Sequence, residues 1–205
     1  MKKVSIYNEK GKLGKSHFAV EIALRLGFCY ATNQNRPRED IQAIIPEDEF
    51  LQVAPHAEFP ALSDGFEVVF DLAGELIGYQ ESIVSALRQS DTILIPVMNE
   101  PDAISATKHA IAELEPLNLN AEIILLATDL RTGDHEEILE ALKSAEGVYK
   151  IFPVRHTNLF NRMVREGKSV DEMAKTTKLS AWSHRYIIED LDNLFKYLTR
   201  EKKNG

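Results

Sequence analysis

Short apolar runs alternate along this chain with stretches in which apolar positions recur every three or four residues. Val4–Tyr7 reads as a first strand. Between Lys15 and Leu26, the residues Phe18, Ala19, Ile22, Ala23 and Leu26 fall on one face of a helix. Phe28–Ala31 fits a second strand. Residues 33–64, rich in Pro, Asn, Asp and Glu, read as loop with one short helix and a weak strand at Phe50–Ala54. Glu67–Phe70 is a short apolar strand that ends at Asp71. Then follow a helix over Ile77–Gln89, a strand Thr92–Val97, a helix Ala103–Leu114, a strand Ala121–Ala127, a helix His135–Ser144 and a strand Tyr149–Phe152. Two helices close the pattern, Leu159–Glu166 and an amphipathic one near Ser183–Thr199. The stripe of the latter is Ile187, Ile188, Leu191, Leu194, Phe195 and Leu198, which predicts packing on the body of the domain. Trp182 and Tyr186, four residues apart, are expected to pack with it.

Strands alternating with helices imply βαβ units, and hence an α/β fold with a mostly parallel sheet and helices on both faces. Strands buried on both sides should be apolar throughout, as Thr92–Val97 and Ile123–Leu126 are. No internal repeat or linker divides the chain, so residues 1–205 are expected to form one domain, with 200–205 frayed.

The 44% hydrophobic and 27% charged residues are ordinary for a globular protein. No apolar run approaches a membrane span, and the N-terminus lacks the apolar core of a secretion signal. Cys29 is the sole cysteine, which excludes an intramolecular disulfide and a Cys-only metal site, and a cytoplasmic setting is expected. The net charge of −8 argues against a globally basic nucleic-acid binder but leaves room for a local patch such as Lys196, Arg200, Lys202 and Lys203. The six histidines show no H-E-x-x-H or similar spacing, and His135, His156 and His184 read as surface or capping residues.

The candidate chemistry lies between the first strand and the first helix, in Glu9-Lys10-Gly11-Lys12-Leu13-Gly14-Lys15-Ser16. Two glycines let the backbone turn its N–H groups inward, and the helix start adds its dipole, so the segment suits phosphate oxygens. Lys15 can reach the β and γ phosphates, and Ser16 can place a hydroxyl on Mg²⁺. The common G-x-x-x-x-G-K-[ST] pattern is not met, because Glu9 stands where its first glycine belongs. Lys10 instead stands five residues before Lys15, as in the deviant form K-G-G-x-G-K-[ST], whose second glycine is Lys12 here.

On these residues the sequence resembles the ParA/MinD family of deviant Walker ATPases, in its small ParA-type form. Three further stretches are similar in order: Val68-Val69-Phe70-Asp71-Leu72-Ala73-Gly74 to the Walker B strand, Ser90-Asp91-Thr92-Ile93-Leu94-Ile95-Pro96-Val97 to the strand that precedes a short loop and Asp102, and Met163-Val164-Arg165-Glu166-Gly167-Lys168-Ser169-Val170 to a late helix end. The resemblance implies a P-loop NTPase with ATP and Mg²⁺ as ligands and a homodimer when ATP is bound. The nucleotide would contact residues 10–17 (Lys10, Gly11, Lys12, Leu13, Gly14, Lys15, Ser16, His17). Lys10 would reach the partner's ATP, Lys15 would hold its own, and Ser16 and Asp71 would serve the metal. The catalytic set implied is Lys10, Lys15 and Asp71. The resemblance also implies non-specific DNA binding by the dimer, a centromere-binding adaptor that triggers hydrolysis, and a nucleoid-associated location. A MinD-like membrane tail is disfavoured, because Glu189, Asp190 and Asp192 interrupt the last helix.

The chain departs from the family after the second strand. Thr32-Asn33-Gln34-Asn35-Arg36 carries no carboxylate where D-x-D-P-Q is usual. Asn33 or Gln34 can position a water but is a poor general base, so slow or partner-dependent hydrolysis is expected unless Glu39 or Asp40 folds back. Lys12 can add charge at the γ phosphate or face solvent. Base recognition is expected on Thr128 and Asp129, together with the loop Pro153-Val154-Arg155, and guanine remains open beside adenine. The rival functions are a regulatory nucleotide binder with weak turnover, MinD-like or otherwise, and a dethiobiotin-synthetase-like ligase. The basic residues available for DNA are Arg155, Arg162, Arg165, Lys168, Arg185 and the tail.

Overall fold

A computed structural model describes residues 3–35, 39–73, 80–117, 119–131, 134–142 and 149–200. Gly74, Gly133, residues 77–79 and 143–148, and the tail lysines Lys202 and Lys203 lie outside the described residues. Seven strands form one sheet: β1 (Lys3–Ile6), β2 (Cys29–Thr32), β3 (Phe50–Gln52), β4 (Val68–Asp71), β5 (Thr92–Val97), β6 (Glu122–Leu130) and β7 (Lys150–Arg155). Their order is β3-β2-β4-β1-β5-β6-β7, and every pairing is parallel. The helices are α1 (Lys15–Leu26), α2 (Glu39–Gln42), α3 (Gln80–Gln89), α4 (Pro101–Leu114), α5 (Asp134–Ala141), α6 (Leu159–Glu166), α7 (Val170–Ala174), α8 (Lys178–Ser183) and α9 (Arg185–Leu198).

Alternate residues of each strand feed two separate cores, one on each face. Val4, Ile6, Val69, Leu94, Ile124 and Leu126 pack with α1, α6, α7 and α9. Val68, Phe70, Ile93, Ile95, Leu125 and Ala127 pack with α3, α4 and α5. This is the two-sided burial expected from the unbroken apolar runs. The α9 stripe also behaves as expected, with Ile187, Leu191, Leu194, Phe195 and Leu198 all buried.

Two prolines sit in strands where a ladder donor is not needed. Pro153 lies on β7, an edge strand with room for a residue that cannot donate. Pro96 lies on the interior strand β5, but β1 pairs only as far as Leu94. The Pro96 carbonyl accepts instead from the Asn8 side chain, at 2.9 Å.

The amphipathic helix expected near Ser183–Thr199 is α9, and a separate short helix, α8, precedes it, the two meeting at His184. Trp182 and Tyr186 therefore do not share a helix or pack on the body. They are 65% and 51% exposed, and the Arg185 guanidinium lies over both rings. The short α7 was not foreseen. Its Ser169 and Glu172 form a reciprocal cap. The N–H of Val170, at its start, donates 2.6 Å to Glu21 Oε2 of α1. Glu21 is wholly buried, and burial pushes its carboxyl up to about 7.

Candidate functional site

The loop after β1 opens at the carboxyl edge of the sheet, beside the point where chain order reverses, which is where ligands bind in open α/β sheets. Asn8, fully buried, anchors it. Its amide N–H groups donate to Pro96 O at 2.9 Å and Thr107 Oγ1 at 3.1 Å, and its Oδ1 accepts from Lys10 N at 3.0 Å. Lys12 and Gly14 both take left-handed backbone angles, φ 65° and 82°. At Gly14 the absent side chain makes this easy, and the residue turns the chain directly into α1. The first turn of α1 carries no acidic residue and Gly14 offers no side-chain cap, so the positive end of the helix dipole faces the loop.

The two loop lysines are held in opposite ways. Lys15 Nζ folds over its own loop and donates to the carbonyls of Asn8 and Lys10, both at 2.8 Å. Burial lowers its pKa, and nearby Asp71 opposes that shift. Lys10 instead reaches α4. Its Nζ pairs with Glu100 Oε2 at 3.1 Å and with Asp102. The Asp102 hydrogen bond raises the Lys10 pKa and lowers that of Asp102. This exposed pair is screened and adds little stability.

Asp71 ends β4 level with Ile6 and Thr32 and is completely buried. Its Oδ2 accepts from Tyr30 OH at 2.6 Å and from Gln34 Nε2 at 3.0 Å. The Asp71 carboxylate and the Ser16 hydroxyl are both oxygen donors, the kind a hard cation such as Mg²⁺ takes. Asn33 does not face a reacting water. It is buried, its Nδ2 donates to Ser82 Oγ at 2.8 Å, and its Oδ1 accepts from Ala73 N at 2.7 Å. Glu39 and Asp40 are exposed on α2.

A cavity of about 210 Å³ adjoins the loop. Lys12, Leu13, Gly14, His17 and Phe18 line one side, and Thr128, Asp129, Arg155, His156, Phe160 and Asn161 the other. The structure thus brings the loop residues Lys12–Gly14 and His17 together with Thr128 and Asp129. Asp129 sits at an irregularity of β6 with φ 57°. Its carboxylate already meets His156 Nδ1, so any base amino group shares it with that imidazole. Gly11 lies on the exposed bend beside Lys10.

Residue reading missed four partners: Tyr30 and Gln34 at Asp71, Glu100 at Lys10, and His156 at Asp129. Each is separated by 27 to 90 residues from the group it touches, so no local spacing announced it.

Fold and loop together give the α/β architecture of P-loop proteins. No protein-family model and no curated protein matches the sequence. Solved structures share the fold. An ATP complex of McdA from Cyanothece superposes with a TM-score of 0.63 at 13% identity, covering 100% of this chain and 99% of its own. A plasmid partition protein of Borrelia burgdorferi B31 bound to AMPPNP gives 0.59 at 16%, covering 94% and 98%. MinD, the cell division protein of Aquifex aeolicus, gives 0.59 at 17%, covering 96% and 98%. These neighbours are deviant Walker ATPases, and this chain has their single-sheet P-loop fold.

Proposed function

We propose that this chain is a ParA-type nucleotide switch: it binds ATP with Mg²⁺ through residues 10–17, dimerises in that state and hydrolyses slowly. The observation that carries the reading is the opposite placement of its two loop lysines. Lys15 is half-buried and folded over its own loop, where an incoming phosphate can take the place of the Asn8 and Lys10 carbonyls. Lys10 extends away from that loop to an exposed acidic pair. It can therefore be withdrawn to serve a second subunit's phosphate without disturbing its own site. ATP shifts the equilibrium only through contacts made in the dimer and absent from the monomer, and a Lys10–phosphate contact is one of these.

Slow turnover follows from the second strand. Asn33 is locked and Gln34 is engaged with Asp71, so no free carboxylate prepares a water among these residues. Fold neighbours bound to ATP or AMPPNP, and a MinC:MinD complex from Aquifex aeolicus, support nucleotide and partner binding. The cargo follows the partition proteins among them: DNA bound without sequence preference, an adaptor that stimulates hydrolysis, and a nucleoid-associated location. Of the basic candidates, Arg155, Arg162, Arg165 and Arg200 form salt bridges, whereas Lys168 and Arg185 form none among the described residues, so these two lead the proposal for phosphate contact.

The test is sedimentation with ATP, ADP or no nucleotide, with and without duplex DNA. The wild type dimerises and binds DNA only with ATP. Lys10→Ala keeps ATP affinity and stays monomeric, whereas Lys15→Ala loses ATP. Identical behaviour of the two variants would overturn the reading. So would a basal rate in the usual enzyme range of about 1 s⁻¹ or more.

A further inference from the structure

Apart from the nucleotide cavity, three metal-ligating side chains converge where the phosphate loop meets α4. His109 and Glu113 lie four residues apart on that helix and so share one face. Glu9, the first residue of the loop segment, approaches from β1. His109 Nδ1 is 2.9 Å from Glu9 Oε2 and 4.0 Å from Glu113 Oε1. One ligand atom from each residue falls within 4.8 Å of the other two. Glu113 is oriented from behind: its Oε2 accepts a 2.8 Å hydrogen bond from Tyr7 OH, and Tyr7 is completely buried in β1's continuation. That bond leaves Oε1 turned toward the imidazole.

We propose that Glu9, His109 and Glu113 form a binding site for a divalent metal ion of the zinc class. Ligand atoms about 2.0–2.1 Å from zinc in a tetrahedral arrangement stand roughly 3.3 Å apart. The site therefore needs shifts of only about 1 Å. One imidazole with two carboxylates favours zinc and its neighbours over Mg²⁺ and Ca²⁺, which prefer all-oxygen sets. His109 is 60% exposed, so remaining coordination positions open to water. Two ligands sit on a regular helix and the third on the loop, so the ion would clamp the start of the loop to α4. Lys10, the next residue, reaches the same helix through Glu100 and Asp102.

The test is calorimetric titration of Zn²⁺ into the full chain after EDTA treatment, without nucleotide and with excess Mg²⁺ to fill hard-cation sites. The wild type takes up one ion per chain. His109→Ala and Glu113→Gln each weaken it by about tenfold or more. His184→Ala, at the break between α8 and α9, leaves it unchanged. Co²⁺ in place of zinc gives a visible absorption band that His109→Ala abolishes. Circular dichroism confirms that each variant is folded. Absence of zinc uptake by the wild type, or an unchanged affinity in His109→Ala, overturns the proposal and shows an ordinary imidazole–carboxylate ion pair. ATP affinity measured on the same samples separates this outcome from a failure of the nucleotide site.

Discussion

Two loops meet at the same edge of the sheet and are built for different purposes. The loop after β1 presents N–H groups, a helix start and a lysine whose Nζ donates to carbonyls of its own loop. All of these contacts can be exchanged for a phosphate. The segment after β2 is closed instead. Asn33 bridges to Ser82 and Ala73, Gln34 donates to Asp71, and the Gln34 carbonyl accepts from Gln52. The first loop is held by contacts that can be exchanged, and the second holds the buried Asp71 carboxylate in place. Under the proposed function, capture of a nucleotide and activation of a water would fall to separate strands, and one could be kept without the other.

The sharpest break of this contrast is Lys15→Ala. It removes a cation able to form charge-assisted hydrogen bonds of about 1.5–3 kcal/mol each, so ATP affinity should fall by about a hundredfold or more in equilibrium dialysis. The next effect lies behind the first loop, in α1. The folded-state pKa of Glu21, about 7, is above the ordinary 4.5, so between these values the folded chain holds a proton that the unfolded chain has released. Stability should therefore fall as pH rises from 4.5 to about 7, by roughly 1.4 kcal/mol per unit, and level off above. Glu21→Gln should flatten that slope in denaturant titrations, and an unchanged slope would reject the assignment. On the second-loop side, Tyr30→Phe takes a donor from buried Asp71 and should cost about 1–3 kcal/mol of folding free energy. The smallest effect belongs to Lys12, a non-glycine residue at φ 65°. Lys12→Gly relieves about 1 kcal/mol of backbone cost, raising Tm by about 2–4 °C. A simultaneous loss of ATP affinity would assign Lys12 to the phosphates, and an unchanged affinity would assign it to solvent.

Much of this was legible before any coordinates. The strands Thr92–Val97 and Ile123–Leu126 declared themselves because both faces are covered, and α1 because its apolar face repeats at helical spacing. The phosphate loop was legible because its glycines, lysines and flanking elements are contiguous. What escaped had tertiary causes. β6 continues through the polar Thr128 and Asp129 because β7 still pairs with it beyond the irregularity there. β7 runs on to Arg155 through a proline because it is an edge. The break at His184 carries no glycine or proline to announce it. The partner of each key charge was illegible for a simpler reason, since Lys10 meets Asp102 and Tyr30 meets Asp71 only after the sheet is assembled.

The break at His184 also gives the protein an internal optical reporter. Trp182 is the sole tryptophan in the sequence and stands largely in water, with one cation stacked on its ring. Its emission is expected at the red end of the indole range, and all of the signal comes from α8. Arg185 links Trp182 to Tyr186, over whose ring Arg155 from the rim of the cavity beside the first loop also lies. Any molecule that settles on that surface must dry the indole, so a blue shift during a titration would locate the contact on this face without a label.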